Sequence, residues 1–207
     1  MRRCGGEVAA RNCPYGRPPQ PACGAKLVDA PLTLLALLAA IGLFGALVVE
    51  WILRRAVRIG SLAPPRMHME ILINAPLSRV WEYASDVPRQ PEWMHEMKRV
   101  EMITPGPIRV GSRGRATVRI FGISTTDDVV ITRLEPPHAF GIRHEGRFTG
   151  EGLLLFSATP EGGTLINWTE YLRPPLFATI GGFVQRPILG AIFRSDLRHL
   201  KRLVEAD

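Results

Sequence analysis

The chain contains few cysteines, and all of them lie near one end. Cys4, Cys13 and Cys23 fall in the first 25 of 207 residues, and none follows. Their spacing fits no zinc-binding pattern, and the five histidines form no pair at helical spacing. We therefore predict neither a metal site nor a cofactor. A domain without cysteine needs no oxidising compartment, which favours the cytoplasm.

The larger part of the chain also lacks a strong excess of charge. The net charge is +7, of which residues 1–65 carry +5 and residues 66–207 only +2. A nucleic-acid-binding domain normally concentrates basic residues on its folded part. We therefore expect no nucleic-acid partner. The basic excess lies around an apolar run, where it can act on membrane orientation and on anionic lipid head groups.

Residues 1–30 show no apolar periodicity and are rich in glycine, proline and arginine. Such a segment buries too little apolar surface to offset the entropy lost on ordering, so we predict that it is disordered. A translation start assigned too far upstream would produce a segment of this kind.

An unbroken apolar run comes next, and residues 32–53 read LTLLALLAAIGLFGALVVEWIL. As a helix, 22 residues span about 33 Å, close to the thickness of a bilayer's hydrocarbon core. The run is too long for a secretory signal and has no cleavage site of small residues. A buried core helix would rarely be apolar on every side. We predict a single transmembrane helix at 31–54.

The polar residues that end this run indicate its orientation. Glu50 precedes Arg54 by one helical turn, so the two can pair at the interface beside Trp51. Arg54, Arg55 and Arg58 favour a cytoplasmic location for the C-terminal part of the chain. We predict a single-pass protein of the cell membrane, with a linker at 55–65 and a cytoplasmic domain at 66–207.

The domain is predicted to contain one strand, two short helices, six strands and a long helix. The first strand is MHMEILINA, and the short helices are expected on SRVWEYASDV, which Pro76 and Leu77 introduce, and at roughly 88–94. The terminal helix is expected at 175–205, with a broad apolar face that Gly181, Gly182 and Pro187 weaken. The six strands alternate apolar and polar residues and are predicted at 97–104, 111–121, 123–135, 139–146, 149–158 and 163–173.

Several segments in this order resemble the SRPBCC (START-like) superfamily, and more narrowly its polyketide cyclase/dehydrase and lipid-transport-like group. They are INAPLSRVWEYASDVPRQPEWM, VGSRGRATVRIFG, ITRLEPPHAF, TPEGGTLINWTEYL and DLRHLKRLVE. The resemblance covers about residues 66–205. It implies an α+β helix-grip fold, in which a curved antiparallel sheet of about seven strands wraps around the long C-terminal helix. An apolar cavity lies between the sheet and the helix.

The resemblance implies a binding protein for an apolar small molecule, such as a lipid, a quinone or a polyketide-like aromatic. Two alternatives stay open: a cyclase or dehydratase acting on a polyketide-like substrate, and a module that has lost its cavity and supports a protein partner. The sequence shows no convergent set of acid, base and oxyanion donors, so whether the chain is an enzyme is undecided, with binding favoured.

The strand TLINWTEYL contains the most informative candidate site residue. Alternation places Trp168 and Glu170 on the inner face if Asn167 and Thr169 face solvent. A carboxylate there could serve as a general base or a hydrogen-bond acceptor. The alternative, which we favour, places Glu170 at the rim in a pair with an arginine.

Other polar residues on the strands have simpler interpretations. Of Arg143, His144 and Glu145, only His144 alone or the other two together can face the cavity, and a solvated strand explains all three. Asp127 and Asp128 are expected on an exposed strand, and Trp93 near the cavity mouth. The residues predicted to bind the ligand are Trp93, Val118, Ile120, Phe156, Ile166, Trp168, Glu170, Phe183, Ile188 and Phe193.

Overall fold

The computed structural model describes residues 29–120 and 122–206. Nearly all of the segment predicted to be disordered, 1–30, lies outside these residues. The described chain falls into two compact units, one ending at Gly42 and the other beginning at Leu43. The boundary lies inside the first helix, so the second unit contains the end of that helix together with the whole C-terminal domain.

Helix α1 (Asp29–Arg58) contains the apolar run. Its apolar side chains are almost all exposed, and the stretch Pro31–Arg58 is long and apolar enough to cross a membrane. The helix ends at Arg58, four residues later than predicted, because residues 55–58 continue the helical pattern. The linker is therefore shorter than predicted and comprises residues 59–66. Glu50 is the exception along this helix, with only 7% of its surface exposed.

The domain contains one seven-stranded antiparallel sheet, which confirms the predicted α+β class. The strand order is β1-β7-β6-β5-β4-β3-β2. The strands are β1 (Met67–Ile73), β2 (Met97–Met102), β3 (Arg113–Ile120), β4 (Ile123–Glu135), β5 (Ala139–Glu145), β6 (Thr149–Ala158) and β7 (Thr164–Arg173). Between β1 and β2 lie α2 (Leu77–Ser85), a 3₁₀ turn (Val87–Arg89) and α3 (Gln90–Trp93).

Strand β7 shows why alternation predicted the inner face correctly. Ile166, Trp168 and Glu170 are buried, whereas the residues between them are partly exposed. In the neighbouring strand Met69 lies opposite Trp168, and it is also buried. Side chains that share a face across paired strands pack together, so one strand's pattern reports the face of its neighbour.

Helix α4 (Ala178–Ala206) packs across the inner face of the sheet. Its buried apolar residues Leu189, Phe193, Leu197, Leu200 and Val204 recur at the predicted helical spacing. The helix is continuous, with Pro187 inside it. Its C-terminal half is therefore the part that fills the core, and its first half contributes few buried side chains.

Candidate functional site

A cavity of about 360 Å³ lies between the first half of α4, α3 and the inner face of the sheet. This volume is at the lower end of the usual range for small-molecule sites. Its apolar lining residues are Trp93, Met94, Met97, Val100, Ala116, Val118, Ile120, Ile123, Val129, Phe140, Ile142, Phe148, Leu154, Trp168, Leu172, Ile188, Leu189 and Phe193. The polar ones are Gln90, Glu96, Thr125, Asp127, His144, Glu170 and Gln185.

Most of the residues predicted from the sequence lie in this lining. They are Trp93, Val118, Ile120, Trp168, Glu170, Ile188 and Phe193. Trp93 is not at a mouth as expected, because only 1% of its surface is exposed and its ring meets that of Trp168 edge-on.

Three of the predicted ligand-binding residues lie outside the lining: Phe156, Ile166 and Phe183. Phe156 is buried against Trp81 of α2, with ring centroids 5.3 Å apart, and Ile166 is fully buried in the same core. The inner face of the sheet is thus divided. One part packs against helices and the other faces the cavity, a division that strand alternation alone does not reveal.

Glu170 is the centre of a buried polar group in the cavity wall. Only 3% of its surface is exposed; its Oε2 accepts a hydrogen bond of 2.9 Å from Trp168 Nε1, and its Oε1 lies 3.2 Å from His144 Nε2. The expectation that Glu170 pairs with an arginine at the rim is wrong. Alternation places His144 and Glu170 on the inner face, while the arginines of these strands point outward.

A glycine makes this arrangement possible. Gly152 on β6 lies opposite Glu170 on β7, and a Cβ atom at this position would lie 2.3 Å from Glu170 Oε2. Any side chain at residue 152 would therefore displace the carboxylate from Trp168. Because residue 152 is a glycine, the Glu170 carboxylate can occupy the space on the inner face that a side chain at this position would fill.

His144 and its two neighbours divide between the faces of β5. Burial by itself lowers the pKa of His144, but the hydrogen bond and charge of Glu170, with the charge of Asp127, outweigh it and raise this pKa above its ordinary value. Arg143 and Glu145 pair on the other face, where Glu145 also accepts a bond of 2.8 Å from Arg113. His144 alone lines the cavity.

A second polar group joins the start of β2 to α4. Burial, followed by the hydrogen bond and charge of Asp196, raises the pKa of Glu96 to about 8. Asp196 Oδ1 accepts bonds from the backbone N–H of His95 at 3.1 Å and from its Nδ1 at 3.0 Å. Glu96 Oε2 and Asp196 Oδ2 have no other partner among the described residues, and a proton shared between the two carboxyls satisfies both.

Strand β4 contributes two polar residues to the cavity, and one of them, Asp127, was expected to be exposed. Thr125 and Asp127 line the cavity, and Asp127 also accepts a 2.7 Å bond from the backbone N–H of Arg147. The expectation of an exposed Asp127 is wrong because it shares its face with the buried Val129. That shared parity was readable from the sequence, whereas the inward position of Glu96 on a loop was not.

No group of three or more histidine, cysteine, aspartate or glutamate side chains is placed to hold a metal ion within residues 29–120 and 122–206.

The comparisons with known proteins agree with this architecture. The profile of the family described as "Polyketide cyclase / dehydrase and lipid transport" matches residues 64–205. The chain belongs to this family. The resemblance noted in the sequence is thereby confirmed, and the match spans every strand of the sheet and nearly all of α4. No curated protein matches the chain.

Solved structures with the same fold include a protein of Thermus thermophilus, with 22% identity and a TM-score of 0.58, covering 69% of this chain and 98% of that one. A Deinococcus radiodurans protein has 22% identity and a TM-score of 0.53, with coverages of 68% and 97%. The Zhui aromatase/cyclase of a Streptomyces species has 17% identity and a TM-score of 0.51, with coverages of 67% and 94%. At these identities the structural similarity establishes that the chain has the helix-grip fold, and it does not establish a ligand or an activity.

The Glu96–Asp196 pair predicts a pH dependence of stability. In the folded chain Glu96 keeps its proton up to about pH 8, whereas an unfolded chain releases it near the ordinary value of 4.5. Between these values the folded state binds one proton more, so stability falls as pH rises, by up to about 1.4 kcal/mol per pH unit. Glu96→Gln should flatten this fall, measured as the thermal unfolding midpoint at about pH 5.5 and pH 8.

The matched control is Glu92→Gln, since Tyr83 and Arg89 lower the pKa of Glu92 and its charge is constant over this range. This variant should keep the wild-type pH dependence. A Glu96→Gln variant that loses stability with pH as steeply as the wild type would show that the two carboxyls do not share a proton.

Proposed function

We propose that this protein is a membrane-anchored binding protein that holds an apolar small molecule, such as a lipid, a quinone or a polyketide-like aromatic. The observation that carries the proposal is the cavity of about 360 Å³, in which eighteen of the lining residues are apolar and seven are polar. A mostly apolar wall with a few polar groups is typical of sites that bury a small ligand and orient it. A domain that had lost its cavity would lack this volume.

The anchor in this proposal is helix α1. Its apolar stretch is long enough to cross a bilayer, and Arg54, Arg55 and Arg58 lie at its C-terminal end. Basic residues favour the cytoplasmic side, so the proposal places the C-terminal domain in the cytoplasm beside the cell membrane. The linker of residues 59–66 is short. A ligand that partitions into the bilayer would then have a short path to the cavity.

A second candidate function, a cyclase or dehydratase, is favoured by one observation. Glu96, which keeps a proton near neutral pH, and the His144–Glu170 pair line the same cavity. A protonated carboxyl and an imidazole–carboxylate pair are the groups that acid–base catalysis on a carbonyl compound uses. The Zhui protein is itself named an aromatase/cyclase. Binding remains the first proposal because it needs only the apolar cavity, whereas catalysis also needs these groups to act on a substrate.

The binding proposal predicts that an apolar molecule copurifies with the full chain. Protein purified from cells in nanodiscs should release, on organic extraction, a molecule that empty nanodiscs lack, detected by mass spectrometry. Val118→Trp should abolish its recovery because Val118 lines the cavity. Arg119→Trp is the matched control, since Arg119 is exposed on the other face of the same strand. Equal recovery from both variants, or none from the wild type, would contradict the proposal.

The enzyme alternative predicts turnover that depends on Glu170. The full chain should convert a poly-β-ketone thioester into a cyclised product with loss of water, followed by mass spectrometry. Glu170→Gln keeps an acceptor for Trp168 but removes the negative charge, so conversion should stop while the molecule recovered by extraction is still bound. Wild-type conversion no faster than in buffer would exclude this alternative.

A further inference from the structure

We infer that the molecule held in the cavity is electrically neutral and presents a hydrogen-bond acceptor, such as a ketone or quinone carbonyl oxygen. This inference rests on the proposed function, and it narrows the ligand class. It depends on the charges that line the cavity and on the buried polar atoms that have no partner there.

The ionisable residues in the lining make an anionic ligand unfavourable. They are Glu96, Asp127, His144 and Glu170, and no lysine or arginine lines the cavity in the part of the chain that the structure describes. The one basic side chain, His144, is already paired with Glu170. A carboxylate or phosphate would enter an apolar site without a counter-charge and next to acidic groups, which is strongly unfavourable. Fatty acids and phospholipid head groups therefore do not fit.

The buried atoms without partners show what the ligand supplies. Glu96 Oε2 and Asp196 Oδ2 are satisfied by their shared proton, and Glu170 Oε1 by His144. Of the lining residues, Trp93 Nε1 and Thr125 Oγ1 then remain buried without a partner among the described residues. An indole N–H can only donate, and a hydroxyl can donate.

His144 is a further donor in this wall. Its Nε2 lies 3.2 Å from Glu170 Oε1, and this carboxylate raises the pKa of His144 and so favours the protonated imidazole, in which both ring nitrogens are donors. The rings of Trp93 and Trp168 are in contact, with centroids 6.1 Å apart, and Trp168 bonds Glu170. Trp93 and His144 are thus connected through Trp168 and Glu170, and Thr125 shares its face of β4 with Asp127, whose charge acts on His144. An acceptor oxygen of the ligand can satisfy donors in this part of the wall.

Three probes that share one ring system test this inference. The first, 2-methyl-1,4-naphthoquinone, provides carbonyl acceptor oxygens. The second, 2-methylnaphthalene, has no hydrogen-bond acceptor, and the third, 2-naphthoate, carries a negative charge. Binding to the full chain in nanodiscs is measured by equilibrium dialysis, with empty nanodiscs subtracted. We expect the quinone to bind about tenfold more tightly than the hydrocarbon, which corresponds to about 1.4 kcal/mol. The naphthoate should bind most weakly.

Substitutions connect this preference to the wall of the cavity. Thr125→Val keeps the shape of the side chain and removes its hydroxyl, and Trp93→Phe removes the indole N–H. Each should weaken quinone binding several-fold more than it changes hydrocarbon binding, since both side chains line the cavity. The matched control is Thr126→Val, because Thr126 is exposed on the opposite face and bonds Thr117.

The outcomes separate the two levels of the argument. If the hydrocarbon binds as tightly as the quinone, or the naphthoate binds best, the ligand class is wrong while the binding function stands. If none of the three probes binds above empty nanodiscs and no molecule copurifies, the binding function itself fails. A quinone preference that survives both cavity substitutions would also overturn the inference, because the donors would then be irrelevant.

A different observation supports a second inference, which assumes that α1 spans the membrane. We propose that the first half of α4 lies against the bilayer surface. Glu50 of α1 accepts hydrogen bonds from the backbone N–H groups of Thr179, at 3.0 Å, and Ile180, at 2.9 Å. Arg54 donates a further bond of 3.1 Å to the same carboxylate. The first turn of α4 therefore lies at the same depth as Glu50.

That depth is the membrane boundary. Glu50 is the first acidic residue after the apolar run, and the exposed Trp51 is next to it. Tryptophans at the end of a spanning helix lie at the interface, and a carboxylate there avoids the cost of the hydrocarbon core. Ile180, Val184 and Ile188 succeed each other at intervals of four on α4, and Val184 and Ile188 are 65% and 46% exposed. A continuous apolar stripe that starts at the interface fits a lipid surface, and Ile188 also lines the cavity.

Fluorescent labels test this placement in the full chain, after Cys4, Cys13 and Cys23 are replaced by serine. An NBD label at Val184→Cys should show blue-shifted emission in vesicles of phosphatidylcholine and phosphatidylglycerol, and lipids carrying a doxyl group should quench it. The same label at Glu161→Cys, an exposed site in the β6–β7 turn, should be unaffected. Glu50→Ala should reduce the quenching at residue 184.

Resistance of the protein to alkaline extraction from the same vesicles reports the anchor separately. An extraction-resistant chain with an unquenched label at residue 184 would overturn the placement and keep the anchor. The emission could instead be blue-shifted without doxyl quenching, with a blue shift that decreases when the protein is diluted in lipid. That result would show that the stripe packs against a second copy of the chain. An extractable chain would remove the anchor itself.

Discussion

The way helix α4 packs against the inner face of the sheet determines most of what this domain can do. Its second half inserts Leu197, Leu200 and Val204 into the core, where they stabilise the fold. Its first half contains Gly181, Gly182 and Pro187, none of which fills space as a large apolar residue would. A cavity remains beside this first half of the helix. Stability and binding are thus assigned to different halves of one helix.

An apolar cavity can contain ionisable groups only if they satisfy one another, and the wall shows two ways of doing so. Glu170 is neutralised by His144 and oriented by Trp168, in a space that Gly152 leaves free. Glu96 instead keeps a proton, because burial and Asp196 both oppose its charge. Neither pair can be removed by a single substitution without leaving a buried polar atom unpaired, which is costly. The remaining donors are the exception, and they point to a ligand.

The sequence predicted the fold well because each element has a local pattern. Alternation located all seven strands, and the parity of β7 placed Trp168 and Glu170 on the inner face. The site was predicted only in part, since its chemistry depends on pairs that are distant in the chain. His144 meets Glu170 across two strand pairings, and Glu96 meets Asp196 only after α4 has crossed the sheet. No local pattern encodes such contacts, so the partner of Glu170 was wrongly assigned.

Glu50 connects the last turns of α1 to the start of α4. A carboxylate at the end of an apolar helix is expensive to desolvate, yet only 7% of its surface is exposed. Two backbone N–H groups of α4, which have no partner within their own helix, and Arg54 compensate for this cost. The same bonds satisfy the start of α4, the half of the helix beside the cavity. An apolar side chain at residue 50 would leave those N–H groups unpaired, so the contact with α4 explains why a carboxylate, and not another apolar residue, ends the run.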